Sequence, residues 1–495
     1  MARRASPRAA STVAVACLAL AWATPGISAL AVSHGAPRPA SPQVPKNLNT
    51  SRMPGNQDEQ TIAVNPTNPK NVVVTSNLDT GSNPLFAGLM ESSTFDGGAT
   101  WTARVIADGS DGLGIACCDS SLAFDDDGNL FLTYLLDTNG NMPVALSTDG
   151  GVSFSVIHVI KPATPAGSPG GPVGPFKTAP RGSALAADQP TISAGAGTVW
   201  VTYTAFSPTA FSIQSTGARI AGLGHVKGWI KPENVPTRES RGDYGDVAIG
   251  PTGQVMVTYQ RQTGGQGPAN IFVSVDRDGL GPGGFSAPLN VADTNVGGFD
   301  YIPAQQERSI DAEANLAWDR DPTSAHLGRA YLVWTSETPD ESNDTDIMFQ
   351  WSDDDGASWS PPVRLNTDSS RNSQFLPAMA LDQSTGAVAV SWYDCRNDNG
   401  HGATDTDGIA NTDAQVFGTY TLNGGTTFAP NFRISQGVSN ATASGSFLDY
   451  GDYTHATFAD HIFYPVWSDN SNSTGDNPDG GLSGLDVYTT KVVIG

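Results

Sequence analysis

A short turn recurs along this chain and constrains its fold more than any other feature. Its fullest copy is Thr94-Phe95-Asp96-Gly97-Gly98-Ala99-Thr100-Trp101. The segments Ser147 to Phe154, Ser352 to Trp359 and Thr421 to Phe428 repeat the pattern Ser/Thr-x-Asp/Asn-x-Gly-x-Ser/Thr-Trp/Phe. Asp96, Asp149, Asp354 and Asn423 stand where a side-chain oxygen can accept from backbone N–H groups of its own turn. The glycine supplies a positive φ, and the aromatic opens the next strand. These four residues are therefore expected to pin hairpins and to take no part in catalysis. Two further units carry weakened copies: Ser274 to Gly279 has extra residues before Phe285, and Ser215-Thr216-Gly217 lacks the acid.

Around each turn a larger unit is legible. An apolar strand is followed by a turn and a second strand rich in Val, Tyr and Trp, as in Ala314-Asn315-Leu316-Ala317-Trp318 with Ala330-Tyr331-Leu332-Val333-Trp334. The units recur about every 60 residues, longer than common propeller repeats. With 55 Gly, 34 Pro and 15% charged residues, the composition suits many short strands and turns rather than long helices. The turn resembles the Asp-box (BNR) repeat of sialidase-like β-propellers. That resemblance implies an all-β fold of four-stranded blades, with the Asp-box between the third and fourth strands. Counting units gives about seven blades, with six, the number in sialidases, as the alternative if one unit is an insertion. The last unit offers only three strands. Lys46-Asn47-Leu48-Asn49-Thr50 resembles the outer strand Val363-Arg364-Leu365-Asn366-Thr367, so an N-terminal strand is expected to complete the C-terminal blade. A ring closed in this way has no free sheet edge, and a monomer is expected.

The expected organisation is a signal peptide over 1–31, a flexible lead-in over 32–43 and a single propeller domain over 44–495. Arg3, Arg4 and Arg8 precede an apolar run, Thr12 to Ala23, too short to span a membrane, and Ala29-Leu30-Ala31 offers a cleavage site. A secreted, extracellular protein without a transmembrane segment follows. The 49 Asp and Glu against 26 Lys and Arg exclude a basic nucleic-acid footprint. Beyond the leader the cysteines are Cys117, Cys118 and Cys395. Export permits a disulfide, and both a Cys117–Cys118 ring and a bond to Cys395 are open.

In a propeller the inner strands start, and the second strands end, at one mouth of the channel. The inner-strand starts bring Asp58, Glu59, Asp119, Asp188, Asp243, Asp246, Glu307, Arg308, Asp311, Glu313, Asp449 and Asp452 to that rim; the second-strand ends bring Arg261, Asp394, Arg396, Asp398 and Asp469. The motif Asp-Tyr-Gly-Asp occurs twice, at 243–246 and 449–452. It reads either as a shared turn at the strand start or as two acidic-aromatic corners facing one ligand, with Tyr453 beside the second. The acidic loop 394–413 holds Asp394, Asp398, Asp405 and Asp407, hard oxygen ligands that suit Ca²⁺; plain solvated acidic loops are the other reading. The Pro/Gly-rich stretch 161–186 is expected to form a long loop on this face.

The resemblance implies a functional set as well. Sialidases hold their substrate's carboxylate with three arginines, for which this chain offers Arg241, Arg308 and Arg396. Their Tyr nucleophile paired with a Glu finds candidates in Tyr244, Tyr450, Tyr453, Glu307 and Glu313. Their Asp acid/base finds candidates in Asp58, Asp119 and Asp188. The family's Arg-Ile-Pro at the start of its first blade is absent, since the first unit here begins Asp58-Glu59-Gln60-Thr61. Two functional classes stay open: an exo-acting glycoside hydrolase of sialidase type on terminal sugars, and a non-catalytic propeller that binds glycan or protein, with Ca²⁺ as an optional cofactor.

Overall fold

A computed structural model describes residues 38–79, 86–137, 140–162, 187–207, 210–237, 241–262 and 265–495. The leader and the 163–186 stretch lie outside the described residues. From Arg38 onward the chain is one compact unit.

Seven antiparallel sheets follow one another in chain order, each running from an inner to an outer strand. Their inner strands are Thr61–Val64, Ala116–Phe124, Ala187–Gly195, Asp243–Ile249, Asn315–Trp318, Gln374–Leu381 and Ala456–Ala459. The first six blades take their outer strand from the same local segment. The seventh takes it from the other end of the chain: Leu48–Asn49 pairs with Asp486–Thr489 in the register Leu48 to Thr489. The count is therefore seven, and the N-terminal strand closes the ring as its sequence suggested. Arg38 and Ala40, within the stretch expected as a lead-in, touch blade six. Arg38 Nε donates to Phe428 O at 3.1 Å and Tyr420 Oη donates to Ala40 O at 2.6 Å.

The Val/Tyr/Trp-rich second strands are where the blades pack. Trp200, Trp334, Trp392, Trp467, Tyr203, Tyr331, Tyr393 and Tyr464 are fully buried between neighbouring sheets. Large, flat side chains suit this wedge-shaped gap because each removes a large apolar area from water.

The recurrent turns share one hydrogen-bond pattern. Asp96 Oδ1 accepts from Ala99 N and Thr100 N, both at 2.9 Å, and Gly98 N donates to Thr94 Oγ1 at 2.9 Å. The copy at Asp149 repeats it with Ser153 N at 2.9 Å, Asp354 with Ser358 N at 2.8 Å, and Asn423 with Thr427 N at 3.0 Å. These bonds, led by the Ser358 hydroxyl, hold the Asp354 carboxyl below its ordinary range. All four turns lie on the face opposite the inner-strand starts, since the third strand runs parallel to the first. Gly151 shows why the turn requires glycine. Its φ is +100°, and a Cβ there would meet Val73 Cγ2 at 2.9 Å. Gly151→Ala should lower stability by about 1–3 kcal/mol. A urea titration checks it, and an unchanged midpoint would contradict this account.

Candidate functional site

At the mouth of the channel the inner strands do not begin smoothly. Their pairing with the second strands slips at Cys118/Ser121, Asp188/Thr191, Asp243/Gly245 and Phe375/Ala378. The residues at or beside these bulges adopt left-handed backbone: Asp119 at φ +58°, Gln189 at +48°, Tyr244 at +50° and Leu376 at +48°, with Glu59 at +52° in the matching place of blade one. Non-glycine residues in this region are strained, and bulges redirect side chains. Repeated around the ring, the distortion turns the side chains of several blades toward one centre. Cys117 and Cys118 form a vicinal disulfide within one of these bulges, and Cys395 is a buried free thiol.

A row of carboxyls results. Asp188 is within hydrogen-bond reach of Asp119, Asp119 of Glu59, and Glu59 of Asp452. Asp452 ends the row in an ion pair with Arg308. Backbone and amide donors fix the members: Gln189 N donates to Asp119 Oδ2 at 3.0 Å, and Asn77 Nδ2 to Glu59 Oε2 at 2.6 Å. Glu59, Asp119, Arg308 and Asp452 are buried, and Asp188 is half-buried. Burial, then the charges of their neighbours, pushes Glu59 and Asp188 well above the ordinary carboxylate range. Burial raises Asp119 as well, while the bonds from Asp188 and Glu59 pull it back. With Asp188 and Glu59 protonated, Asp188 donates to Asp119, Glu59 gives its single O–H to Asp119 or Asp452, and Arg308 pairs with Asp452.

Asp311, Glu313, Asp243 and Tyr453 complete the cluster. Burial and then the Asp452 charge raise Asp311 and Glu313, and burial pushes Asp243 up to about 7. Tyr453 Oη is buried without a hydrogen-bond partner, and Glu59, Asp119, Asp452 and Glu313 all act on it. Asp58 lies behind the row, raised to about 8 by burial, with Ser446 Oγ donating to it at 3.3 Å.

Arg308 reaches this centre from a hairpin inserted between blades four and five, Asp300–Ile302 with Gln305–Ile310. The hairpin is held to the 449–452 turn by polar contacts. Asp449 Oδ2 accepts from Glu307 N at 2.7 Å and Arg308 N at 3.0 Å. Gln305 Nε2 donates to Gly451 O at 2.6 Å, and its Oε1 accepts from Tyr450 N at 2.9 Å. Sequence patterning had no signal for this insertion or for Gln189 and Asn77.

The other sequence candidates are placed elsewhere. Arg241 and Glu307 are exposed. Arg396 is tied to Asp394 by Nε at 2.8 Å and lies 4.3 Å over the Phe417 ring. The neighbouring carboxylate has captured it, so the three arginines are not assembled. Tyr450 stacks on Tyr393 at 4.4 Å, and Tyr244 Oη donates to Gly298 O at 3.3 Å. The two Asp-Tyr-Gly-Asp copies are not equivalent. Asp243 faces the cluster, whereas Asp246 accepts from Val247 N and Leu316 N, both at 2.7 Å. In the second copy it is the last acid, Asp452, that meets Arg308.

In the acidic loop, Asp394 is occupied by Arg396 and by Trp392 Nε1 at 2.7 Å. Asp407 accepts from Thr412 and Asn440. Asp398 and Asp405 instead join Asp413, with one oxygen of each within 4.8 Å of the others. This trio is a geometric fit to a divalent cation. The opposite half of the channel is a cavity of about 660 Å³ with an apolar wall that includes Leu122, Ile192, Val247, Leu316 and Met379. Asp126, Asp382, Asp460 and Arg320 also line it.

No protein-family model matches the sequence, and no curated protein matches it. Among solved structures, a Dyadobacter fermentans protein of unknown function is similar at 12% identity and TM-score 0.47, over 92% of this chain and 99% of that one. The phage phi92 endosialidase is similar at 10% and 0.47, over 91% and 69%. A Penicillium chrysogenum alpha-L-arabinanase, solved with arabinobiose, is similar at 13% and 0.45, over 77% and 99%. The seven-bladed assignment stands on the chain's own strand order: this is a β-propeller built from four-stranded antiparallel blades.

Proposed function

We propose that this protein is an exported glycoside hydrolase acting on terminal sugars of glycans, with its site at the inner-strand mouth. The observation that carries this is the row Asp188–Asp119–Glu59–Asp452–Arg308 with Tyr453 beside it. Glycoside hydrolysis needs one carboxyl that keeps its proton near neutral pH and a second group that stabilises positive charge at the sugar. Asp188 is the half-buried member, held protonated and donating to Asp119, so it is assigned as general acid. Asp119 and Asp452, with Tyr453, face the developing oxocarbenium charge. Glu59 lies between Asp119 and Asp452 and gives its single O–H to one of them. Arg308, the arginine that among the described residues pairs with the row, is engaged by Asp452, which favours a neutral or cationic sugar over a sialic acid. The signal-type N-terminus supports export.

A panel of 4-nitrophenyl and alkyl glycosides, aryl-sialosides included, tests this. Asp188→Asn should cut kcat by at least about 100-fold for poor alkyl leaving groups and far less for 4-nitrophenol, as expected when a general acid is lost. No turnover of any glycoside by the parent protein would sink the hydrolase reading. The Asp398, Asp405 and Asp413 trio favours a second reading, a glycan-binding propeller with Ca²⁺. Glycan-array binding abolished by EDTA, with no turnover, would support that one instead.

A further inference from the structure

Acceptors without donors are concentrated at one place in the mouth. Both carboxyl oxygens of Asp311, which is 1% exposed, have no hydrogen-bond partner. Nearby, Glu313 Oε1 accepts from Gln189 Nε2 at 2.9 Å, while Glu313 Oε2 and Gln189 Oε1 have no donor. Arg308 acts on Asp311 and Glu313 through space, but its ion pair is with Asp452. An ionised carboxylate here lacks donors. A buried carboxylate in this condition costs free energy. What fits is a positively charged group that only donates. An ammonium has three N–H donors and no acceptor.

The number and kind of acceptors suit an ammonium better than a bare metal ion. Among the described residues, the only three acids that bring oxygens within 4.8 Å of one another are Asp398, Asp405 and Asp413 in the distant loop. Asp311 and Glu313 are two acids, fewer than the roughly six to eight oxygen ligands that Ca²⁺ takes. Two carboxylates with one amide oxygen match the three donors of an ammonium, bonded at about 2.8 Å.

We infer that the mouth selects a sugar bearing a free, protonated amine, with Asp311, Glu313 and Gln189 Oε1 as the acceptors of its N–H groups. This rests on the glycoside hydrolase reading and narrows its substrate to glycans with de-N-acetylated amino sugars. An N-acetyl group would remove the charge and present a carbonyl oxygen to a region already rich in acceptors.

The test uses the full chain and isothermal titration at pH 6 with glucosamine, N-acetylglucosamine and glucose tetramers, alongside turnover of each. Spermidine controls for the chain's formal charge of −23. The glucosamine tetramer should bind at least about tenfold tighter than the other two sugars, a difference of about 1.4 kcal/mol. Asp311→Asn should erase that margin; should this variant fail to fold, Glu313→Gln takes its place. Equal binding of the three sugars, spermidine binding as tightly as the amino sugar, no sugar binding, or tight Ca²⁺ binding that Asp311→Asn abolishes would each overturn the inference. Tight glucosamine binding without hydrolysis supports it while removing the hydrolase reading. Cleavage of neutral sugars with no preference for the amine does the reverse.

Discussion

Replacing Arg308 with Leu should lower stability at pH 8 by about 3–5 kcal/mol, the cost of leaving a buried charge without its partner. Arg308 is 8% exposed and lies among acids: Asp452 by direct contact, with Asp311 and Glu59 acting from further away. Without the guanidinium, the acids around it, Asp311, Glu59 and Glu313 among them, lose their counter-charge in a dry site, and only a bound proton relieves them. The loss should therefore shrink at pH 5, where that proton is available. Arg308→Lys keeps the charge but not the fork, and should fall between the two. Urea titrations of the three proteins at both pH values read this out. An equal loss for Arg308→Leu at pH 5 and pH 8 would mean that the arginine acts by packing, for instance on Phe299, over which its guanidinium lies at 5.9 Å. The Leu variant should also lose turnover, because Arg308 no longer holds Asp452 in place at the end of the row.

Stability should also fall as pH rises from about 5 to 9. Burial raises Asp58 to about 8, Asp243 to about 7 and Asp449 to about 6, and it pushes Glu59, Asp188, Asp311 and Glu313 well above the ordinary range. The folded state thus keeps protons that the unfolded chain releases near pH 4. The stabilisation from each raised group is fully present below its unfolded pKa and is lost as pH climbs through its folded pKa. Each group tilts the curve by about 1.4 kcal/mol per pH unit while it differs between the states. His455 opposes this: burial depresses it to about 4, so it favours the folded state less as pH falls below 6.5. It is one group against many, and the net slope stays downward. Urea midpoints at pH 5, 6.5 and 8.5 measure it. Asp58 faces Asp79 and Asp452, with Asn77 and Ser446 donating to it, and Asp58→Asn should flatten the slope. A midpoint that rises toward pH 8.5 would show that the mouth acids are ionised in the folded protein.

Much of the architecture was legible because its signals are local. Asp96, Asp149, Asp354 and Asn423 bond within their own turns, so a pattern of a few residues carries the whole interaction. The Val/Tyr/Trp second strands and the leftover strand at Leu48 were equally readable, since blade count and closure follow from tallying strands. The rim list was readable for the same reason: strand polarity alone brings Glu59, Asp119, Asp188, Asp311, Glu313 and Asp452 to one end of the channel.

Which rim residues meet was not readable. Arg308 and Arg396 look alike in sequence, yet one enters the acidic centre on an inserted hairpin and the other is held by Asp394, two residues away. The two Asp-Tyr-Gly-Asp copies are identical as strings, but a bulge inside a strand and a turn before a strand aim different acids at Arg308. The amino-acid sequence by itself determined the repeat, the strand order and the end of the ring where acids gather, because those depend on hydrogen bonds and burial within a blade. The tertiary structure alone decided which carboxyls share protons, which arginine balances them and which acceptors lack a donor. Those outcomes depend on distances of a few ångströms between blades, and bulges and an insertion set them without leaving a periodic trace in the chain.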